Sequence, residues 1–157
     1  FLSLPEDLAA DLSLSTAQQS YVKYDREGKI IGFAGEPPVQ SQVLRTDVEK
    51  ETITFKGYAH SGGGRGIKEQ NVSWDNGQTW HPAKITEKMD QKKGKQYAWI
   101  LWEARVSRAD LPKRKVEFCF CATDTEGFSQ PRFTEDNKRG LDANGWDRFC
   151  FDNNTIF

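Results

Sequence analysis

The feature that most restricts the fold of this chain is a two-residue alternation of apolar and polar side chains, which recurs beyond Val39. Four segments show this alternation or are rich in aromatic and β-branched residues: "TITFKGYA" (52–59), "YAWILWEARV" (97–106), "KVEFCFCATD" (115–124) and "GWDRFCF" (145–151). In the first, Ile53, Phe55, Gly57 and Ala59 would share one face of a strand. Because turn residues separate the segments and helical periodicity is almost absent, the sequence predicts an all-β fold, an immunoglobulin-like antiparallel β-sandwich.

One turn within this pattern can be specified in more detail. Asp75 precedes Asn76-Gly77, a dipeptide that suits a two-residue type I′ hairpin, in which both central residues take positive φ. We expect one strand to enter this turn from about Ile67 and the next strand to leave it through Trp80.

The same alternation predicts which side chains face inward. Trp99 and Phe118 are expected in the core, because aromatic residues at strand spacing are more often core than a binding platform. Cys119 and Cys121 would share the face of their strand opposite Phe118. We favour two small apolar side chains on that face over a reactive dithiol, although a thiol redox enzyme with low-pKa cysteines is a competing hypothesis.

The first 37 residues differ in kind from the rest. Ser3 and Glu6 have the spacing of a capping box, and leucines recur at every fourth position, which predicts a short amphipathic helix. Residues 15–37 lack sustained periodicity and predict an irregular arm that ends at Pro37-Pro38. We therefore expect an N-terminal arm over 1–37 and a β domain over 38–157.

The charge balance excludes some classes of partner. The chain has 22 Lys and Arg residues against 23 Asp and Glu residues, so it has no overall field that would attract nucleic acid or an anionic membrane. No stretch approaches the roughly 20 apolar residues of a membrane span, and the start lacks a signal-peptide pattern. The sequence thus predicts a soluble protein with no nucleic-acid and no membrane partner.

A glycine run, "SGGGRG" at 61–66, raises the question of phosphate binding. A P-loop needs Gly-Lys-Ser/Thr at the start of a helix, and a dinucleotide site needs a βαβ unit. Here Arg65 leads into a β pattern instead, so both sites are excluded. We interpret the run as a shaped loop that turns after Ala59 and presents Arg65 at a sheet edge; a flexible connection with a solvated Arg65 is the alternative.

Residues for catalysis or metal binding are sparse. His60 and His81 each sit beside a strand end without a nucleophile motif, and the three cysteines form no CxxC pair. Four zinc ligands at recognisable spacing are therefore missing, and a metal site wholly inside this chain is not expected.

Five motifs occur in a fixed order along the chain. The longest is "GYAHSGGGRGIKEQNVSWDNGQTWHPAKI", with "EPPVQSQV" (36–43) before it and "YAWILWEARV" and "SQP" (129–131) after it. Near the end, the pattern WNLRG-(three)-N-x-W-x-R is matched at Asn137, Arg139, Gly140, Asn144, Trp146 and Arg148. Together these motifs resemble the C-terminal domain of the sulfite oxidase family, a group of molybdenum-cofactor oxidoreductases. The resemblance covers about residues 36–151, and it is specific because the five motifs occur in register.

The resemblance implies that cofactor binding and dimerisation belong to different domains. Family enzymes bind a molybdenum–pterin cofactor in a central α+β domain through a cysteine thiolate, and the immunoglobulin-like domain mediates homodimerisation. None of the three cysteines matches the ligand position, so no cofactor is expected in this chain. Residues 1–37 would be at most the trailing edge of the cofactor domain. The implied partners are a second copy and the molybdenum-cofactor domain of the parent enzyme.

The resemblance also assigns candidate site residues. Arg139 occupies the family position whose guanidinium reaches into the substrate pocket and holds an oxyanion, so it is the candidate substrate-binding residue. Nitrate reductases of the family carry Met there, and Arg139 therefore favours the sulfite oxidase branch. Three positions depart from the family pattern: Asp136 replaces Trp, Lys138 replaces Leu, and Asp147 stands where His is usual.

Three further residues, Arg65, Arg148 and Trp146, are expected to have an interdomain or structural role. No catalytic residue is assigned, and we expect no turnover from the chain alone. The resemblance allows a mitochondrial location. The alternative function is a stand-alone β-sandwich module that binds a carbohydrate or protein ligand through exposed aromatic residues.

Overall fold

The structure is a computed structural model that describes residues 21–154. The described chain forms two compact units: residues 21–35 with 135–143, and residues 36–134 with 144–154. The helix expected near Ser3 lies outside the described residues, and the domain boundary expected after residue 37 stays a prediction. Within the described part, no helix has the length and apolar character that crossing a bilayer requires.

The first unit contains a small antiparallel hairpin. Strand β1 (Val22–Tyr24) pairs with β2 (Ile30–Phe33), and the intervening turn is closed where the Lys29 N–H donates to Asp25 Oδ1 at 2.7 Å. Val22 is fully buried. The prediction of an irregular arm over 15–37 is therefore wrong for this stretch, because strands of three and four residues are too short to show periodicity in sequence.

The second unit is a sandwich of two four-stranded antiparallel sheets. Eight strands build it: β3 (Gln40–Val48), β4 (Thr52–His60), β5 (Ile67–Ser73), β6 (His81–Pro82), β7 (Lys84–Lys88), β8 (Ile100–Ser107), β9 (Lys115–Asp124) and β10 (Asp147–Asp152). One sheet has the order β3-β4-β8-β7 and the other β10-β9-β5-β6. This is the arrangement of the immunoglobulin fold, so the predicted all-β sandwich is confirmed.

The core forms where the inward faces of the two sheets meet. Ile53, Phe55 and Ala59 are fully buried on β4, and Phe118 and Phe120 are fully buried on β9, as the alternation predicts. The Phe55 ring centroid lies 4.8 Å from that of Phe118 and 5.0 Å from that of Phe120. Each such phenylalanine contributes about 1.5–3 kcal/mol by burial.

Gly57 permits the closest approach within this core. A Cβ at this position would overlap the Gln42 carbonyl oxygen and the Trp102 ring. The glycine inside "TITFKGYA" is thus required because the neighbouring strand β3 and the indole of Trp102 occupy the space of a side chain.

One core prediction is wrong. The side chain of Trp99 is 62% exposed, and β8 begins only at Ile100. Because Ile100 and Trp102 point inward, Trp99 and Leu101 point outward. The inward and outward residues could not be distinguished in the sequence at 97–102, because both faces of the strand carry large apolar side chains there.

The prediction of a two-residue hairpin after β5 is confirmed in its backbone angles and wrong in its length. Asn76 and Gly77 take φ values of 63° and 81°, as expected. However, β5 ends at Ser73 and β6 begins at His81, so the connection is longer than two residues and Trp80 lies outside the strands. Asp75 explains the difference, because its carboxylate accepts hydrogen bonds from the N–H groups of Gln78 and Thr79, both at 2.9 Å, and holds the chain in a loop.

The chain leaves the sandwich after Thr134 and returns at Asn144. Thr134 Oγ1 accepts hydrogen bonds from the N–H groups of Asn144 at 3.0 Å and Gly145 at 2.7 Å. One hydroxyl therefore fixes both ends of the excursion within the second unit.

The Asp75 loop generates a prediction about acid stability. Hydrogen bonds from the Thr79 hydroxyl, the Thr79 N–H and the Ser73 hydroxyl lower the pKa of Asp75 from 3.8 to about 2. The ionised carboxylate thus stabilises the folded state above the ordinary pKa, and this contribution is lost as the pH falls toward 2. We expect the Tm of Asp75→Asn to lie below that of the wild type at neutral pH, and the difference to shrink as the pH falls from 3.8 toward about 2.

Thermal unfolding followed by circular dichroism across this pH range measures the effect. Thr79→Val serves as the matched variant, because it removes the hydroxyl that lowers the pKa most and should weaken the pH dependence. A Tm difference between wild type and Asp75→Asn that stays constant down to pH 2 contradicts the prediction.

Candidate functional site

Arg139 lies in a tight turn of the first unit that is organised by Asn137. The Asn137 side chain is 8% exposed; its Oδ1 accepts from the Leu141 N–H at 2.9 Å, and its Nδ2 donates to the Leu141 carbonyl at 2.8 Å. Gly140 takes a φ of 64°. Arg139 itself is exposed, and its Nη1 donates to the Val22 carbonyl at 3.4 Å. The amide of Asn137 thus fixes the turn that carries the guanidinium.

Two of the departures from the family pattern lie beside Arg139 and contact the β1–β2 hairpin. Asp136 forms an ion pair with Arg26, and both side chains are largely exposed. The Lys138 N–H donates to the Tyr24 carbonyl at 2.8 Å. The backbone contact does not depend on the residue type, and an exposed ion pair contributes little, so these substitutions are compatible with the turn.

Arg65 binds a buried carboxylate at the end of the glycine run. Gly63 and Gly64 take φ values of 62° and 69°, which turns the chain sharply before Arg65. Arg65 Nε donates to Asp124 Oδ2 at 2.9 Å, and Nη1 donates to Glu36 Oε2 at 2.9 Å. The Arg65 side chain is only 18% exposed, so the loop does not present it as an open cation.

Asp124, at the end of β9, is the partner that sequence reasoning missed. It is fully buried and accepts from the Ser61 hydroxyl and from the N–H groups of Glu126 and Phe128, each at 3.0 Å. Burial by itself would raise the pKa of Asp124, but these hydrogen bonds together with that of Arg65 outweigh it and hold the pKa below its ordinary value. The carboxylate therefore stays ionised and joins the glycine loop to the β9 turn.

Trp146 and Arg148 contact each other at the start of β10. The Arg148 Cζ lies 5.8 Å from the Trp146 ring centroid, and its Nη1 donates to Glu117 Oε2 at 2.6 Å. Trp146 Nε1 donates to the Gln130 carbonyl at 3.0 Å, and the ring packs edge-on against Trp80 at 4.9 Å. The contacts of Arg65 are with a separate set of residues.

Gln130, in the "SQP" segment, is hydrogen-bonded to the segment that carries the N-x-W-x-R motif. Its side chain is buried, its Oε1 accepts from the Ala122 N–H at 2.9 Å, and its Nε2 donates to the Gly145 carbonyl at 3.1 Å. Asp147, the third departure, accepts from the Val43 N–H at 2.7 Å and so connects the two sheets. These residues form a structural cluster that holds β10 in place.

Cys119 and Cys121 do not form a reactive pair. Burial raises the pKa of Cys121 to about 11 and also raises the pKa of Cys119. This contradicts the hypothesis of a thiol redox enzyme at these two positions, which requires low pKa values. Among residues 21–154, no group of three or more His, Cys, Asp or Glu side chains could hold a metal ion.

The Arg65–Asp124 pair generates a stability prediction. We expect Arg65→Met to lower the free energy of unfolding by about 2–3 kcal/mol, because it leaves a buried carboxylate without its charged partner. The loss should fall below the roughly 3–5 kcal/mol of a fully buried pair, since Asp124 keeps its other hydrogen bonds. Urea unfolding measures the change, with Lys68→Met, an exposed cation on β5, as the control. Equal losses in both variants contradict the prediction.

Curated relatives match part of this chain and are much longer. Mitochondrial sulfite oxidase of Homo sapiens is 36% identical in an alignment of length 121 that covers 72% of this chain and 22% of the relative. Sulfite oxidase of Arabidopsis thaliana is 34% identical in an alignment of length 127 that covers 71% of this chain and 30% of the relative. Nitrate reductase [NADH] of Ulva prolifera is 54% identical in an alignment of length 66 that covers 40% of this chain and 8% of the relative. The chain thus spans less than a third of each of these proteins.

A family model agrees with these relatives. The model described as "Mo-co oxidoreductase dimerisation domain" matches residues 33–153, which include all eight strands of the sandwich. The match also contains the Arg65–Asp124 pair and the Trp146–Arg148 cluster. The resemblance that the motifs indicated is therefore confirmed, and the chain belongs to the family of Mo-co oxidoreductase dimerisation domains.

Proposed function

We propose that this chain forms a homodimer and serves as the dimerisation domain of a sulfite oxidase-like molybdenum oxidoreductase. The family match over residues 33–153 is the observation that carries this proposal. The two sheets enclose their own core, so a second copy would add to a sandwich whose interior is already packed. In a two-fold dimer of identical folded domains the contact is isologous, with one patch used twice.

The molybdenum–pterin cofactor would belong to a cofactor domain of the parent enzyme. The described residues of this chain do not fit it, because Cys119 is buried, Cys121 is half-buried, both thiols have raised pKa values, and no cluster of metal ligands accompanies them. The proposed partners are thus a second copy and that cofactor domain, with no nucleic acid and no membrane among them. The names of the human and fly relatives include a mitochondrial location, which we propose for the parent enzyme.

We further propose that Arg139 contributes an oxyanion contact to the substrate pocket of the parent enzyme. Three features support it: Arg139 is an exposed residue, its turn is fixed by Asn137, and an arginine fork binds an oxyanion through two parallel hydrogen bonds. The relatives include both sulfite oxidases and nitrate reductases. Arg139 favours sulfite as the substrate, since nitrate reductases of the family carry Met at this position.

For Arg65, Trp146 and Arg148 we propose a structural role. Arg65 neutralises the buried Asp124, and Trp146 and Arg148 anchor the start of β10. The division into an arm over 1–37 and a domain over 38–157 is retained as part of this proposal.

The proposed homodimer leads to a prediction for the molecular mass in solution. Analytical ultracentrifugation of the full chain at micromolar concentration should give a species of twice 17.9 kDa. Dilution should shift it toward the monomer, because association depends on concentration. A strictly monomeric species across the concentration series contradicts the proposal, and saturable oligosaccharide binding by that monomer would favour the stand-alone binding module.

Arg139 predicts a kinetic result in the parent enzyme. Loss of a charge-assisted hydrogen-bonding pair costs about 1.5–3 kcal/mol, so Arg139→Met should raise the KM for sulfite roughly tenfold to hundredfold. Arg139→Lys should restore part of the loss, since an ammonium keeps the charge but not the fork. Arg114→Met, an exposed arginine of the sandwich, is the control. If the KM for sulfite is unchanged in Arg139→Met, the proposal that Arg139 contacts the substrate is contradicted.

A further inference from the structure

We infer that two copies of this chain meet through the outer face of the β3-β4-β8-β7 sheet. The contact patch consists of Tyr58, His60, Met89, Trp99 and Leu101, which we call the Trp99 face. This inference rests on the proposed homodimer and names the surface that forms it.

The Trp99 face is a continuous aromatic and apolar surface. The Trp99 ring stacks on Tyr58 with centroids 4.8 Å apart and lies 6.2 Å from the His60 ring. Trp99 is 62% exposed and Met89 is 66% exposed. Aromatic residues and methionine are enriched in protein interfaces, where a fixed stack offers a large contact area at little cost in side-chain entropy.

A depression adjoins the exposed indole. It has a volume of about 410 Å³ and is lined by Thr86, Glu87, Lys88, Met89, Trp99 and Leu101. The face therefore carries both an exposed ring and a recess beside it. A two-fold axis through such a face can bring the exposed ring of each copy to the recess of the other, which is the self-complementarity that an isologous contact requires.

The charges beside the patch also suit a second copy. On the outer face of β4 and β8, Glu103 lies 3.4 Å from Lys56 and 2.8 Å from Arg105. A surface with both signs of charge can pair with itself, because a cation of one copy can meet an anion of the other. A surface of one sign would repel its own copy.

The sheet edges are less suited to pairing. Strand β3 has a bulge between Val43 and Arg45, and β7 has one between Ile85 and Glu87. Strand β6 has two residues and contains Pro82. Bulges, proline and short edge strands all oppose the addition of another strand. The remaining edge strand, β10, begins and ends with aspartates and is tied to β3 through Asp147.

The outer face of the other sheet carries more charge than the Trp99 face, although Phe133 lies exposed against Arg148. Its central pair is the ion pair of Arg148 with Glu117 at 2.6 Å. Lys68, Glu69 and Lys115 are exposed on the same sheet. Displacing water from these charges would cost more than covering the indole of Trp99, so the β3-β4-β8-β7 face is the better site for a second copy.

The test is the dimer dissociation constant of Trp99→Lys in the full chain. We expect it to rise about thirtyfold or more over the wild type, the effect of losing an interface hot spot. Because Trp99 is exposed, the variant should keep the circular dichroism spectrum of the wild type. Phe133→Lys is the matched control, since Phe133 is 69% exposed and lies outside the patch; its dissociation constant should stay within about threefold of the wild type.

Leu101→Lys provides a second variant on the same face and should weaken the dimer as Trp99→Lys does. If the wild type is dimeric and neither lysine variant weakens the dimer, the inference that the Trp99 face forms the interface is wrong, while the proposal of a homodimer is retained. If the wild type is monomeric, the homodimer itself fails and this inference fails with it. A peptide of residues 1–20 that quenches the tryptophan fluorescence of the wild type but not of Trp99→Lys, while the wild-type dimer stays intact, would assign the face to that segment and overturn the inference.

Discussion

The packing of Phe55 against β9 is the interaction on which the rest of the structure depends. Its ring contacts Phe118 and Phe120 and also lies 5.5 Å from Phe149 of β10, so one side chain joins three strands of two sheets. The stabilisation comes from apolar area removed from water, and it fixes which face of each strand is inward. The outward residues, including Trp99 and the Arg148 cluster, take their positions from that choice.

The sequence predicted those parts of the fold that follow from alternation. Ile53 and Phe55 on β4 and Phe118 on β9 face the core because a strand has a period of two. Alternation fails where both faces carry large apolar side chains, as at Trp99. It also fails where a loop is organised by one carboxylate, since nothing in the spacing of Asp75 distinguishes a two-residue hairpin from the longer loop that its side chain closes.

For the candidate site as well, local motifs in the sequence predicted individual residues, but contacts between residues distant in sequence could not be predicted. The family motifs identified Arg65, Trp146 and Arg148, but they did not show which residues these side chains contact. Asp124 is 59 residues from Arg65 in sequence, and a buried acid at a strand end has no local signature that separates it from a solvated one. Gln130 could have been found, because it belongs to the "SQP" motif and glutamine inside a matched motif implies a specific hydrogen-bonding role.

The Thr134 hydroxyl has a consequence for how such a scaffold changes over evolutionary time. It binds the chain at both the exit and the return of the excursion over 135–143, so the two flanking ends are held together by a residue of the sandwich itself. Substitutions such as those at Asp136 and Lys138 can then accumulate without loss of the β framework. A framework of this kind can exchange the chemistry of one appended segment, and hence its specificity, while conserving its own architecture.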